Sequence, residues 1–241
     1  MTFLRKQLFG ATVVVALAVT AVFALWVSPR DAQQGDAVRL LYLHVPSAWI
    51  AYLAFFVTAV ASVLWLVPRT RATTWDLLAG ASAEVGVIFT GLTLALGSLW
   101  GRPVWGTWWQ WDARLTTTAI MFFLYLGYLA LRRTGATADE RGKRCAIAAL
   151  IAFGDVPIVH FSVNWWQTLH QTGTVFNPEL NATIHGSMAF TLVFAVGAFT
   201  LLYGYLVLHR LRIAELEEGL EAREVELAIA ERLRAEQVVP A

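Results

Sequence analysis

Histidine and tryptophan are the residues of this sequence whose types and spacing could do chemistry together. A neutral imidazole ligates metals. An indole offers a broad apolar face for stacking. The 241 residues hold five histidines: His44, His160, His170, His185 and His209. They hold eleven tryptophans, and four of these crowd into the run "WGTWWQWDARL" from Trp105 to Leu115. Such a wall of indoles suits a large, flat, apolar ligand.

His44 sits in "YLHVPSAW" and His170 in "NWWQTLHQTG", on either side of the tryptophan run in sequence. Pro46 suits the first turn of a helix, which would leave His44 just before that turn. If the chain stays helical past Trp166, then Trp166 and His170 share a face at i, i+4. Two imidazoles facing each other can hold a haem iron axially. A single histidine at such a position serves equally well as a hydrogen-bonding residue. His160 and His185 are rival ligands or supporting residues, and His209 reads as a solvated boundary residue. A haem carries two propionates, and guanidinium groups bind carboxylates in bidentate fashion. Arg39 and Arg114 are placed for that role. Asp112 can pair with Arg114, orient an indole N–H or a histidine, or face a partner protein.

The elements that must position these residues are membrane spans. The chain is 58% hydrophobic and 15% charged, against about a quarter charged in soluble domains. The apolar residues form six blocks near 8–27, 46–67, 77–99, 117–131, 145–163 and 183–208. The first follows Arg5 and Lys6 and resembles a signal peptide. It lacks a clear small-x-small cleavage site and precedes five more spans, so a retained helix is expected. The expected fold is all-α: a polytopic membrane protein with six transmembrane helices over 1–208 and a charged, helical tail over 209–241.

Fourteen of the eighteen Lys and Arg fall at the N-terminus, in the loops 68–76 and 132–144, and in the tail. By the positive-inside rule those parts and both termini face the cytoplasm. The loops 28–45, 100–116 and 164–182 then face outward, and nine tryptophans lie at or near that outer face. An ordinary aromatic belt decorates both interfaces. The imbalance fits a one-sided outer platform, or a thick belt with an interfacial helix.

Glu84 and Asp155 lie within spans, where acids are costly and mark a transport path or a polar helix contact. Asn181 in "NAT" reads as a helix start rather than a glycan site. The tail is either a solvated helix or a docking element for a cytoplasmic partner. The single cysteine, Cys145, permits no internal disulfide, and no C-x-x-C-H haem-attachment sequence is present. There is no Walker A sequence and no sign of nucleic-acid binding.

The run "WGTWWQWDARLT" resembles the tryptophan-rich segment of the WWD-domain family, the haem-handling proteins of cytochrome c maturation. "YLHVPSAW" and "HFSVNWWQTLHQ" resemble the flanking histidine segments of its shorter, six-span members. The similarity covers roughly residues 36 to 172, and the tail matches no motif. The resemblance implies non-covalent binding of haem b in transit, at the outer face of the bacterial inner membrane. It implies His44 and His170 as axial ligands and a haem-binding surface of Trp105, Trp108, Trp109, Trp111, Asp112, Arg39 and Arg114. Its implied partners are a periplasmic haem chaperone and an ABC-type complex of an ATPase, a second membrane subunit and a small membrane protein. On this reading the chain is not an enzyme, and ATP hydrolysis belongs to a partner.

Two other readings stand beside it. A b-type haem electron-transfer subunit of a membrane oxidoreductase would place histidine pairs within the spans. A small-solute permease would use Glu84 and Asp155 and carry no chromophore.

Overall fold

The computed structural model describes residues 3–134, 137–170 and 184–238. Seven α-helices account for most of the described residues: α1 Phe3–Val22, α2 Leu41–Leu66, α3 Thr73–Trp105, α4 Ala113–Arg132, α5 Ala138–Phe153, α6 Asp155–Trp165 and α7 Gly186–Val238. A π-helical turn, Phe23–Val27, extends α1, and a 3-10 turn, Asp36–Leu40, leads into α2. The helices supply six segments long and apolar enough to cross a membrane, with α5 and α6 sharing one span. The chain is thus an all-α polytopic membrane protein, as composition and block spacing imply. Asn181 lies outside the described residues.

At the centre α2 packs along α3. Side chains at this seam are small: Ala51, Ala54, Ala79, Ala81, Ser82 and Ala83 are buried. Between transmembrane helices, small residues permit close approach and hydroxyls cross-link backbones. Ser82 donates to the Ala54 carbonyl at 2.7 Å, and Thr58 to that of Ala79 at 3.3 Å. A Cβ on Gly86 would lie 2.6 Å from the Phe55 ring, so the glycine makes room for that ring. Phe55 stacks on Tyr125 of α4 with centroids 3.5 Å apart. Around this pair one core cluster reaches α4, α5 and α6, and another reaches α7.

One end of the bundle is closed by ion pairs. Arg132 of α4 crosses Gly80, where a Cβ would meet Nε at 2.6 Å, and grips both oxygens of buried Asp76 at 2.7 and 3.0 Å. Glu84, which the sequence leaves open between a transport path and a polar contact between helices, makes such a contact with Arg210 of α7. Arg210 also reaches Glu217 at 3.1 Å, and Arg141 lies 3.7 Å from Glu218. The tail is therefore rooted: α7 runs on through residue 208 without a break to Val238. Its 53 residues make a rod of about 80 Å, against about 30 Å of hydrocarbon.

Removing one partner of a buried pair strands the other charge. Arg132→Met is expected to cost about 3 kcal/mol, read as a lower midpoint of thermal unfolding in detergent. Replacing Asp76 by Leu in the same chain should recover much of that loss.

Candidate functional site

At the opposite end of the bundle, three elements deliver the expected residues. The first is α2. The sequence places His44 before the helix; instead it lies in the first turn, because the 3-10 turn at 36–40 feeds directly into Leu41 and Pro46 is accommodated within the helix. His44 is buried, and its Nδ1 has no hydrogen-bond partner. The ring leans over Gly97 of α3, where a Cβ would meet Cε1 at 3.0 Å.

The second element is α3. Its 33 residues span about 50 Å, longer than the hydrocarbon, so its last turns carry Trp100 and Trp105 beyond the apolar region. Gly106, at φ 77°, ends the helix in the left-handed conformation, and its N–H bonds the Arg102 carbonyl at 3.1 Å. That geometry is cheap only for glycine. The chain then runs without helix through Trp108, Trp109 and Trp111, so the tryptophan run is a loop and not an interfacial helix.

The third element is the segment after α6. The helix stops at Trp165, and Trp166 is extended at φ −131°, ψ 156°. Trp166 and His170 therefore do not share a helical face. His170 is brought instead to His44, with ring centroids 6.2 Å apart and planes inclined by 28°. Trp100 lies edge-on to His44 at 5.8 Å, and Trp105 edge-on to His170 at 5.7 Å. Trp100 is held by its N–H to Gln34 at 2.9 Å.

Asp112 joins the second and third elements. One carboxylate oxygen accepts from the Leu115 N–H at 2.8 Å and caps α4. The other accepts from the Leu169 N–H at 3.2 Å, one residue before His170. A single acid thus starts a helix and straps down the histidine segment.

A metal sits about 2 Å from an imidazole nitrogen, so two rings bound end-on to one iron have centroids about 6 Å apart. The separation of His44 and His170 fits that value, and Nδ1 of His44 is buried without a hydrogen-bond partner.

The family model described as CcmC, heme exporter protein C, matches residues 2–226. The chain belongs to this heme exporter protein C family. Among its relatives is "Heme exporter protein C" of Haemophilus influenzae, 38% identical over 216 residues, covering 88% of this chain and 85% of the relative. "Heme exporter protein C" of Escherichia coli (strain K12) is 38% identical over 199 residues, covering 83% and 79%. A "Putative cytochrome c biosynthesis ccmC-like mitochondrial protein" of Marchantia polymorpha is 40% identical over 187 residues, covering 78% of each chain.

In this member of the heme exporter protein C family the remaining candidates divide. Trp108 and Trp111 are exposed, at 56% and 78%, while Trp109 is half-buried, packs edge-on to Trp111 at 5.4 Å and keeps an indole N–H without a partner. Both arginines are engaged within the chain. Arg39 donates to Asp36 at 3.1 Å and to the Ala24 carbonyl. Arg114 donates to the His160 carbonyl at 2.7 Å and the Ser162 hydroxyl at 3.4 Å, and so ties α4 to α6 rather than pairing with Asp112. The His160 ring packs on Tyr52 and Phe161. His185 is exposed just ahead of α7, and His209 bonds the Tyr205 carbonyl on that helix. Trp100, one of the nine tryptophans the sequence assigns to the outer face, and Gly97 are not among the candidate site residues named from sequence. Their spacing of three residues, one helical turn, is the signal that could have found them.

Two outcomes follow. Asp112→Ala should cost about 1 kcal/mol of stability through the lost cap, and should also loosen His170. Added haem would then give a weaker and broader Soret band than Asp112→Asn, which keeps one acceptor oxygen. Gly97→Val should displace the His44 ring and weaken haem retention with little change in the thermal midpoint.

Proposed function

We propose that this chain handles haem during cytochrome c maturation. It holds haem b without covalent attachment at the outer face of the membrane and passes it to a periplasmic haem chaperone. The observation that carries this reading is the facing pair His44 and His170, 6.2 Å apart. Family membership supports it, as do the relatives' names, which speak of heme export and cytochrome c biosynthesis.

Haem here is cargo, so its affinity must be moderate. Two neutral imidazoles hold the iron but form no permanent bond to the porphyrin edge. Each aromatic contact adds on the order of 1 kcal/mol beyond area burial. Trp105, beside His170, and Trp109, half-buried in the loop, would contact the porphyrin. Trp108 and Trp111 are open to the aqueous side and would meet the chaperone or the haem edge it takes. Arg39 and Arg114 would serve the propionates with the N–H groups that their bonds within the chain leave over. Asp112 acts indirectly, by positioning His170.

Fourteen of the eighteen basic residues fall at the N-terminus, in the loops 68–76 and 132–144, and in the tail, which supports a cytoplasmic position for that side and both termini. The site then faces the periplasm of a bacterial inner membrane. The chain would work as a non-enzymatic subunit of an ABC-type complex, with an ATPase, a second membrane subunit and a small membrane protein. The rooted α7 tail, exposed from about residue 220, is the part that reaches a cytoplasmic partner.

The test is the absorbance spectrum of detergent-purified protein. Wild type should show a Soret band, each of His44→Ala and His170→Ala a weaker or shifted one, and the double variant almost none. Undiminished haem in the double variant would overturn the reading.

A further inference from the structure

Away from the proposed haem site, the fifth span is broken near its middle. α5 ends at Phe153, Gly154 turns, and α6 starts at Asp155. The Gly154 N–H bonds the Ile151 carbonyl at 3.1 Å, a tightened last turn. Pro157 has no N–H to return to the Phe153 carbonyl, so an acceptor is released at the break. Asp155 Oδ2 is buried and has no hydrogen-bond partner. Across the seam Tyr125 of α4 is fully buried, and its hydroxyl also lacks a partner. Tyr125, Tyr52, Val156 and Val159 share one core cluster. The Asp155 carboxylate lies within electrostatic range of the hydroxyls of both Tyr125 and Tyr52.

Two orphaned polar groups at this depth need an explanation, because each costs more than a kcal/mol unsatisfied. They do not bond each other, so each is open to a further partner. The Asp155 carboxylate, the Tyr125 hydroxyl and the Phe153 carbonyl are all oxygen donors, and only the first carries charge; the nearby His160 ring is packed on Tyr52 and Phe161. Arg114, the guanidinium acting on Tyr52 from the outer end, is committed to His160 and Ser162. Oxygen donors with a single negative charge match a hard monovalent cation. A divalent ion would want more carboxylates, and a transition metal would want nitrogen or sulfur. Broken transmembrane helices create such sites elsewhere, where freed carbonyls and an acid coordinate sodium or a proton.

We propose that Asp155, the Tyr125 hydroxyl and the freed Phe153 carbonyl form an intramembrane binding site for a monovalent alkali cation. The site is separate from the haem-binding residues and does not depend on the haem reading. Its place at a helix break gives the cation a lever on the angle between α5 and α6, and α6 leads into the segment that carries His170.

A hydrophobic carbodiimide, which modifies intramembrane carboxyls, tests this on the full-length protein in detergent at one pH. Adduct formation on the Asp155 peptide is followed by mass spectrometry in sodium, potassium or choline chloride of equal ionic strength. Asp155 should be modified in choline and several-fold more slowly in sodium or potassium. Tyr125→Phe should shift half-protection to several-fold higher cation concentration while leaving the Soret band in place. Asp155→Asn should remove the adduct from that peptide. Equal rates in all three salts would overturn the cation site and mark Asp155 as a neutral acid. Absence of any adduct in choline would also overturn it, since the carboxyl would then be covered by some other group.

Discussion

Everything at the tryptophan end depends on how closely α2 approaches α3. Lipid gives transmembrane helices no hydrophobic reason to associate, so contact must come from packing and from hydrogen bonds between backbones. Here alanines and Gly86 let the two helices meet, and Ser82 and Thr58 bond across them. The same approach continues to the far end, where the His44 ring lies on Gly97 and against Trp100. A bulkier seam lower in the bundle would separate His44 from the helix that backs it.

On this rigid pair the second histidine is mounted by a softer device. His170 sits on a non-helical segment held by the Asp112 carboxylate through Leu169, and by Trp105 against its ring. On the proposed reading, one histidine on a helix and one on a strapped segment would suit cargo that must leave. Arg114, which ties α4 to the His160 carbonyl, braces the base of that strap from α6.

The two ends of the molecule use charge differently. At the basic end, charges neutralise one another: Arg132 with Asp76, Arg210 with Glu84 and Glu217. These pairs bind α3, α4 and α7 together and root a helix far longer than the membrane is thick. At the tryptophan end the arginines mostly serve backbone carbonyls and a hydroxyl, leaving apolar indole surface exposed. Paired charge closes one face, and unpaired aromatic area opens the other.

The amino-acid sequence by itself determined the spans, because twenty apolar residues in a row have few other uses. It also supplied an expected orientation, through the segregation of arginine and lysine, and nominated His44, His170 and the tryptophan run by residue type. Local pattern could not decide what happens where elements meet. Whether Pro46 starts α2 or lies within it depended on the 3-10 turn before it, and whether the helix outlasts Trp166 depended on the strap from Asp112. That Glu84 is paired while Asp155 Oδ2 is not could be decided only by which helices lie beside them. Tertiary packing chose those partners, because a side chain's neighbours across a helix seam are separated from it by tens of residues of chain.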